Sequence, residues 1–248
     1  MLSLVFPGQG SQYVGMGKDL YDNFQIARDT FAQASEKLKI DLRKMCFESE
    51  DVHLTVNAQP AILTVSTAAF RVLQSEKDIK ADFVAGHSLG EYSALVASGS
   101  LDFEDAIWAV RKRGEYTQQA VPLGVGGMAA VLGFLDVSAP FHSKLMKSAV
   151  ERMQNVLDTI KFLDFEIPMV TNFDARTITD KSKIKRLLLD QLTSPVLWHQ
   201  SINYLNSNLG VKSFLEVGPK NVLSGLIKRI VPDCNILNFG EKADLEKI

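Results

Sequence analysis

One serine in a glycine-flanked turn is the residue of this chain best suited to covalent chemistry. Gly86, Ser88 and Gly90 form a Gly-x-Ser-x-Gly pattern between a short apolar run and an apolar, helix-like run. Small residues two positions to either side permit a turn that a Cβ atom would crowd, and such a turn exposes the hydroxyl at the edge of a sheet. The pattern predicts a nucleophile elbow in which the backbone N–H of Leu89 points toward an incoming carbonyl oxygen.

A serine nucleophile needs a base, and the chain has four histidines. His142 lies in a turn between an apolar strand-like run and a helix-like run, where an imidazole can stand at a sheet edge. His53 lies in a polar stretch, His199 lies at a helix start, and the side chain of His87 should point away from its neighbour Ser88. The residues alone favour His142 over the other three, with an inert, hydrogen-bonded histidine as the equal alternative.

Two further segments could contact a substrate. Gln9 lies between Gly8 and Gly10 after the first apolar run, where it could add a donor to an oxyanion site or simply occupy a strand-to-helix turn. Arg113 ends an Arg-Lys-Arg run, a pattern typical of a solvated face, but one arginine turned inward could pair with a substrate carboxylate. No Cys, His and Asp cluster has metal-ligand spacing, so no metal is expected.

Composition excludes several classes of protein. The chain has 248 residues, 46% of them hydrophobic and 23% charged, with a formal net charge of −2, which is unlike a nucleic-acid-binding surface. No apolar run approaches the ~20 residues of a membrane span, and the N-terminus lacks a signal-peptide pattern. Two cysteines far apart in the sequence predict free thiols and a cytoplasmic protein.

Apolar strand-like runs alternate with segments of helical period along the whole chain. The predicted strands are 2–6, 82–86, 128–132, 167–171, 213–217 and 236–239. The predicted helices include 59–73, 103–120, 144–162, 185–192 and 221–230. This alternation predicts an α/β fold with a mostly parallel sheet covered by helices on both faces.

Seven segments, taken in order, closely resemble the malonyl-CoA:acyl carrier protein transacylases of fatty acid synthesis and the related acyltransferase domains of polyketide synthases. They read FPGQGSQ, NAQPAIL, GHSLGEY, RKRGEY, PFHSKLM, SPVLW and EVGPKNVLSGLIKRI. The resemblance covers nearly the whole length. It implies an α/β-hydrolase-like core and transfer of a malonyl group from malonyl-CoA, a substrate, to acyl carrier protein, with no cofactor.

The resemblance also implies roles for particular residues. Ser88 would be the nucleophile and His142 its general base and acid. Gln9 and the N–H of Leu89 would form the oxyanion hole, and Arg113 would pair with the malonyl carboxylate.

Two more roles follow from the same resemblance. The carbonyl of Leu197 would hold the His142 ring, and Phe141 beside His142 matches the malonyl-selecting version of the motif.

One departure from the family is large. A small ferredoxin-like subdomain normally follows the strand equivalent to 128–132, whereas here residues 133–137 join that strand almost directly to the next. Roughly 60 residues are missing, about the size of a minimal domain. We therefore expect residues 1–248 to form a single acyltransferase domain with its junction near 133–137. Loss of one cleft wall would favour hydrolysis of an acyl-enzyme. The alternatives are a serine esterase or thioesterase-like hydrolase, or a catalytically impaired core.

Overall fold

A six-stranded sheet forms the centre of the protein. The computed structural model describes residues 1–121, 128–130, 133–135 and 141–248. The strands of the main sheet are β1 (Leu2–Phe6), β2 (Phe83–Gly86), β5 (Met169–Val170), β6 (Thr177–Ile178), β7 (Ser213–Val217) and β8 (Asn235–Phe239). Their order is β6-β5-β2-β1-β7-β8, and every neighbouring pair is parallel except β5 with β6. The predicted α/β class and mostly parallel sheet are confirmed.

Helices connect these strands. They are α1 (Lys18–Asn23), α2 (Gln25–Leu38), α3 (Leu42–Glu48), α4 (Thr55–Glu76), α5 (Gly90–Ala97), α6 (Phe103–Gln119), α7 (Lys147–Asp158), α8 (Ile184–Thr193), α9 (Trp198–Asn203) and α10 (Val222–Ile230). Short 3-10 turns occur at Glu50–His53, Lys144–Met146, Lys181–Lys183 and Lys242–Lys247, and a π-helical turn follows α9 at Tyr204–Asn208.

Both faces of the sheet are buried. Alternate residues of β1, β2, β5, β7 and β8 pack into two different apolar clusters, one on each face. In β1, Leu4 and Phe6 pack into the larger cluster with α2, α4 and α6, whereas Val5 packs into a second cluster with α9 and α10. Near-continuous apolar strands are typical of a sheet covered on both sides. The end of β1, and with it the loop that follows, is therefore held by helices that pack on both faces of the sheet.

The structure corrects some of the predicted boundaries. Within the predicted strand 128–132, the structure has β3 (Met128–Ala130), and residues 131 and 132 lie outside the described residues. This strand pairs antiparallel with β4 (Gly133–Leu135) in a separate two-stranded sheet rather than joining the main one. Part of the predicted 133–137 joint is therefore itself a strand, while residues 136 and 137 lie outside the described residues. Periodicity also missed α1, α2 and α3, and the helix predicted from 144 begins as a 3-10 turn and ends at Asp158.

Within the described ranges, no helix has both the length and the apolar character needed to cross a membrane.

Candidate active site

The Gly-x-Ser-x-Gly segment forms the turn between β2 and α5. Ser88 has a φ of 52°, in the left-handed region that costs a non-glycine residue free energy. The flanking glycines permit close backbone approach: a Cβ on Gly86 would lie 2.0 Å from the carbonyl carbon of Gly90, and one on Gly90 would lie 2.1 Å from the carbonyl oxygen of Phe6. The structure thus has the predicted elbow geometry at Ser88.

The strained turn is held from the neighbouring strand β5. Asn172, which follows that strand, accepts the N–H of Ser88 on Oδ1 at 2.6 Å and donates from Nδ2 to the carbonyl of Gly86 at 2.7 Å. Asn172 is fully buried. Two hydrogen bonds to the same side-chain amide offset part of the cost of the left-handed turn.

His142 lies against the serine. Its Nε2 is 2.7 Å from Ser88 Oγ, and its Nδ1 is 2.8 Å from the carbonyl oxygen of Gln191. A carbonyl only accepts, so Nδ1 carries the proton and Nε2 accepts from the serine hydroxyl. Burial and, to a smaller degree, the charge of Arg113 lower the pKa of His142 to about 3. The imidazole is therefore neutral at pH 7, as a general base must be.

The carbonyl that orients His142 is that of Gln191, and the expectation for Leu197 was wrong. Leu197 precedes α9, and its carbonyl already accepts the N–H and the hydroxyl of Ser201 in the first turn of that helix. Gln191 lies in the last turn of α8, where carbonyls have no intrahelical partner four residues on. It accepts the N–H of Ser194 only weakly, at 3.4 Å, and so can also receive His142.

Arg113 is turned inward, unlike the rest of its basic run. It is 4% exposed, and its guanidinium donates to Ser88 Oγ at 3.0 Å and to the side-chain oxygens of Gln59 and Gln191 at 2.9 and 3.1 Å. The neighbouring Arg111 and Lys112 instead pair with Glu115.

The guanidinium of Arg113 has an N–H group that makes no hydrogen bond among the described residues. In the part of the chain that the structure describes, no carboxylate lies within ion-pair distance of it, and its Nε has no partner. Burial lowers the pKa of Arg113, but a guanidinium stays charged. A buried cation held by neutral side chains is therefore available to an incoming carboxylate.

That Gln9 and Leu89 supply the donors of the oxyanion hole stays a prediction. One N–H of the Gln9 side-chain amide donates to Thr55 Oγ1 at 3.0 Å. Among the hydrogen bonds of the described residues, none uses the backbone N–H of Gln9 or of Leu89. The loop after β1 touches the elbow closely, since a Cβ on Gly8 would lie 2.3 Å from the carbonyl oxygen of His87.

Phe141 is half-buried beside the base, where it packs with Val121 and Met146 in a small apolar cluster. Its part in selecting malonyl remains a prediction.

The other histidines do not reach the serine. His87 is half-buried with its ring edge-on to Trp198 at 5.5 Å, and desolvation lowers its pKa to about 4. His53 lies 3.6 Å from Glu50 at the surface, and His199 is exposed.

Four side chains of the site were missed from the sequence: Gln59, Glu91, Asn172 and Gln191. A carboxylate inside the apolar run after Ser88 was a usable signal for Glu91, which is 1% exposed. Gln191 and Asn172 are far from the elbow in sequence, and no local pattern marks them. Across the described residues, no three His, Cys, Asp or Glu side chains come together as metal ligands.

Comparison with known proteins agrees with this geometry. Residues 3–137 match the acyl transferase domain family. The malonyl CoA-acyl carrier protein transacylase of Bacillus subtilis (strain 168) is 40% identical over 287 positions, which cover 92% of this chain and 90% of that protein. The transacylase of Staphylococcus aureus (strain MRSA252) is 36% identical over 302 positions, covering 98% and 97%.

Solved structures match as well. The acyl carrier protein S-malonyltransferase of Vibrio cholerae superposes with a TM-score of 0.94 at 35% identity, covering 99% of both chains. A type II polyketide synthase acyl-carrier protein in complex with its malonyl-transacylase gives a TM-score of 0.93 at 32% identity, covering 99% of this chain and 97% of that one.

The alignments also bear on the missing segment. The Staphylococcus aureus alignment has 302 positions and this chain has 248 residues, so at least 54 positions (302 less 248) face a gap in this chain. That size agrees with the expected loss, while its placement near 133–137 stays a prediction. From its sequence and its structure alike, the chain belongs to the malonyl CoA-acyl carrier protein transacylase family.

Proposed function

We propose that this protein transfers a malonyl group from malonyl-CoA to the phosphopantetheine thiol of an acyl carrier protein through an ester on Ser88. One observation carries the proposal: the buried guanidinium of Arg113 lies 3.0 Å from the Oγ of Ser88. A cation with spare donors thus stands beside the hydroxyl that would hold the acyl group. The names of the relatives, malonyl CoA-acyl carrier protein transacylases, support the same substrates.

The first half-reaction forms the ester. Ser88 Oγ attacks the thioester carbonyl carbon while His142 Nε2 takes the hydroxyl proton. The C–S bond then breaks, and the proton on His142 passes to the departing CoA sulfur. The carbonyl of Gln191 holds the Nδ1–H of His142 throughout and favours the imidazolium that forms transiently.

The second half-reaction reverses these steps with a different thiol. The phosphopantetheine thiol of the carrier protein gives its proton to His142 and attacks the ester carbonyl. The C–O bond to Ser88 breaks, and His142 returns the proton to the serine oxygen. The result is a ping-pong exchange that conserves the energy of the thioester and requires neither a metal nor a redox cofactor.

Both tetrahedral intermediates carry a negative oxygen. We assign its donors to the backbone N–H of Leu89 and the backbone N–H of Gln9, because neither makes another hydrogen bond among the described residues, whereas the Gln9 side chain is held by Thr55. Removal of one such donor typically costs roughly 3 kcal/mol of transition-state stabilisation.

The same proposal includes a cytoplasmic location. Cys46 and Cys234 are both free and buried, as expected of a chain kept in a reducing compartment.

Intact-mass measurement tests the proposal. Incubation with malonyl-CoA should add about 86 Da to the protein, and Ser88→Ala should show no such addition. Addition of a holo-carrier protein should then remove the adduct and malonylate the carrier. An adduct that decays only to free malonate would establish the hydrolase alternative, and no adduct at all would establish a catalytically impaired core.

A further inference from the structure

A buried carboxylate lies behind the site and takes no part in the reaction described above. Glu91, in the first turn of α5, uses both carboxylate oxygens as acceptors. Oε1 accepts the N–H of Asn172 at 2.6 Å, and Oε2 accepts from Nε2 of Gln191. Burial raises the pKa of Glu91, while those two hydrogen bonds and the charge of Arg113 oppose the rise. With a donor at each oxygen, these contacts are those of the ionised form, which with a pKa of about 8 prevails above that pH.

Gln191 joins this carboxylate to the three reacting groups. Its Nε2 also donates to the carbonyl of Ser88 at 2.9 Å, and its Oε1 accepts from Nη2 of Arg113 at 3.1 Å. Its main-chain carbonyl accepts from His142. One fully buried residue therefore contacts the peptide of the nucleophile, the base and the arginine.

The orientation of the Gln191 amide determines whether these contacts can coexist. Nε2 faces two acceptors, on Glu91 and Ser88, while Oε1 faces the donor Nη2 of Arg113. Turning the amide over would place oxygen against two oxygens and NH₂ against a guanidinium. The negative charge of Glu91 therefore fixes the end of the amide that faces Arg113.

We propose that Glu91 is a positioning residue, acting through the side-chain amide of Gln191 to hold Arg113 in the orientation that accepts a carboxylated acyl group. This inference rests on the proposed function. The amide also keeps the two opposite charges apart. A direct Glu–Arg pair would occupy the guanidinium donors that the malonyl carboxylate needs, whereas a bridging amide supplies the negative potential and leaves donors free.

Two substitutions and their combination test the pair at pH 8.5, where the carboxylate is ionised. Glu91→Gln leaves one of the two facing N–H groups without an acceptor, because an amide accepts at only one end. Gln191→Met removes the bridging amide but retains the main-chain carbonyl that holds His142. Glu91→Gln loses one buried hydrogen bond and should lower kcat/KM for malonyl transfer by about 10- to 100-fold. Gln191→Met loses the three side-chain hydrogen bonds of the amide and should lower it at least as much.

Three readouts separate positioning from a merely structural role. Acetyl transfer, which does not use the carboxylate contact, should change less than about threefold, and so should sulfonylation of Ser88 by phenylmethylsulfonyl fluoride. The double variant should be no worse than the worse single variant, because both act on one contact. Glu151→Gln, an exposed Glu-to-Gln change on α7, is the matched control and should leave all rates unchanged.

The outcomes are distinguishable. Equal loss of malonyl transfer, acetyl transfer and sulfonylation would overturn the positioning role, as would additive losses in the double variant or an unchanged malonyl-to-acetyl ratio in Glu91→Gln. A wild-type protein that is sulfonylated but never malonylated would instead refute the proposed function. In that case the ¹⁵N resonance of the Arg113 Nε–H still reports on positioning: both single variants should shift it, and the double variant should shift it no further.

Discussion

Nη2 of Arg113 lies 3.0 Å from Oγ of Ser88, so the guanidinium occupies a donor position on the nucleophile itself. The same nitrogen also donates to Gln191. A malonyl group esterified to Ser88 would bring its free carboxylate near this cation, and that carboxylate could accept from the N–H groups that donate to the free hydroxyl. The contact thus connects the choice of substrate to the chemistry at one atom.

Arg113→Ala should lower kcat/KM for malonyl transfer by about 100-fold or more, because the substrate carboxylate would be desolvated without a partner. Acetyl transfer should fall much less. Steady-state rates with malonyl-CoA and acetyl-CoA measure the difference. Lys112→Ala, on the neighbouring residue whose half-buried ammonium pairs with Glu115, is the control and should leave both rates near wild type. Equal losses for both acyl groups would contradict carboxylate binding by Arg113.

The pH dependence should reflect the low pKa of His142. Burial and the charge of Arg113 bring that pKa to about 3, so acylation should show no loss from imidazole protonation between pH 5 and 8. Because the folded pKa lies below the unfolded value of about 6.5, the unfolded chain binds the extra proton, and stability falls as pH drops from 6.5 toward 3.

Removing the charge of Arg113 should shift the low-pH limb of the pH–rate profile for acetyl transfer. In Arg113→Ala the coulombic contribution to His142 disappears, so its pKa should rise and acetyl transfer should begin to fall at a higher pH than in wild type. Rates of Ser88 acetylation across pH 4 to 8 measure this. An acid limb that stays at the same pH in both proteins would show that burial alone sets the pKa.

Glu91 should make its own contribution to stability with the opposite sign. Burial raises its folded pKa to about 8, above the unfolded value of 4.5, so the folded protein holds the proton more tightly. The free energy of unfolding should therefore fall as pH rises between 4.5 and 8, by at most about 1.4 kcal/mol per pH unit. Urea unfolding of the wild-type protein and of Glu91→Gln between pH 6.5 and 8 isolates this slope as the difference between the two profiles, because the histidines contribute equally to both. A flat wild-type profile in that window would show that Glu91 keeps an ordinary pKa.

The glycines of the elbow should be intolerant of any side chain. Gly86→Ala would place a Cβ 2.0 Å from the backbone of Gly90, where neither element can move away without breaking the sheet or the helix. We expect a loss of more than about 3 kcal/mol of stability or no folded protein. Gly225→Ala is the matched control, because nothing lies within 4 Å of its Cβ on α10. That change should be neutral or stabilise by up to about 1 kcal/mol, as measured by thermal unfolding.

Sequence patterns predicted those parts of the site that depend on local structure. The elbow at Ser88 follows from the short-range steric requirement at Gly86 and Gly90, and strands such as β1 and β7 follow from their apolar runs. The identity of the carbonyl behind His142 did not follow, because it depends on which helix terminus lies beside the ring. The Gln191 carbonyl, at the end of α8, can accept from His142, whereas the Leu197 carbonyl already accepts the N–H of Ser201 within α9. Glu216 is similar: a buried strand carboxylate accepts the first N–H groups of α10, a tertiary contact that propensity cannot predict.

The short length of the chain leads to the last prediction. At least 54 aligned positions of the Staphylococcus aureus relative have no counterpart here, which agrees with the loss of a small subdomain expected at the 133–137 joint. If that loss removes one wall of the site, water would compete with the carrier thiol for the Ser88 ester. We expect a larger fraction of the malonyl-enzyme to release malonate than in the Bacillus subtilis relative, which serves as the control. Rapid mixing of isolated malonyl-enzyme with a holo-carrier protein, followed by quantification of malonyl-carrier and free malonate, gives the two fractions. Equal partition in the two proteins would mean that the remaining residues shelter the ester as well as a full-length relative does.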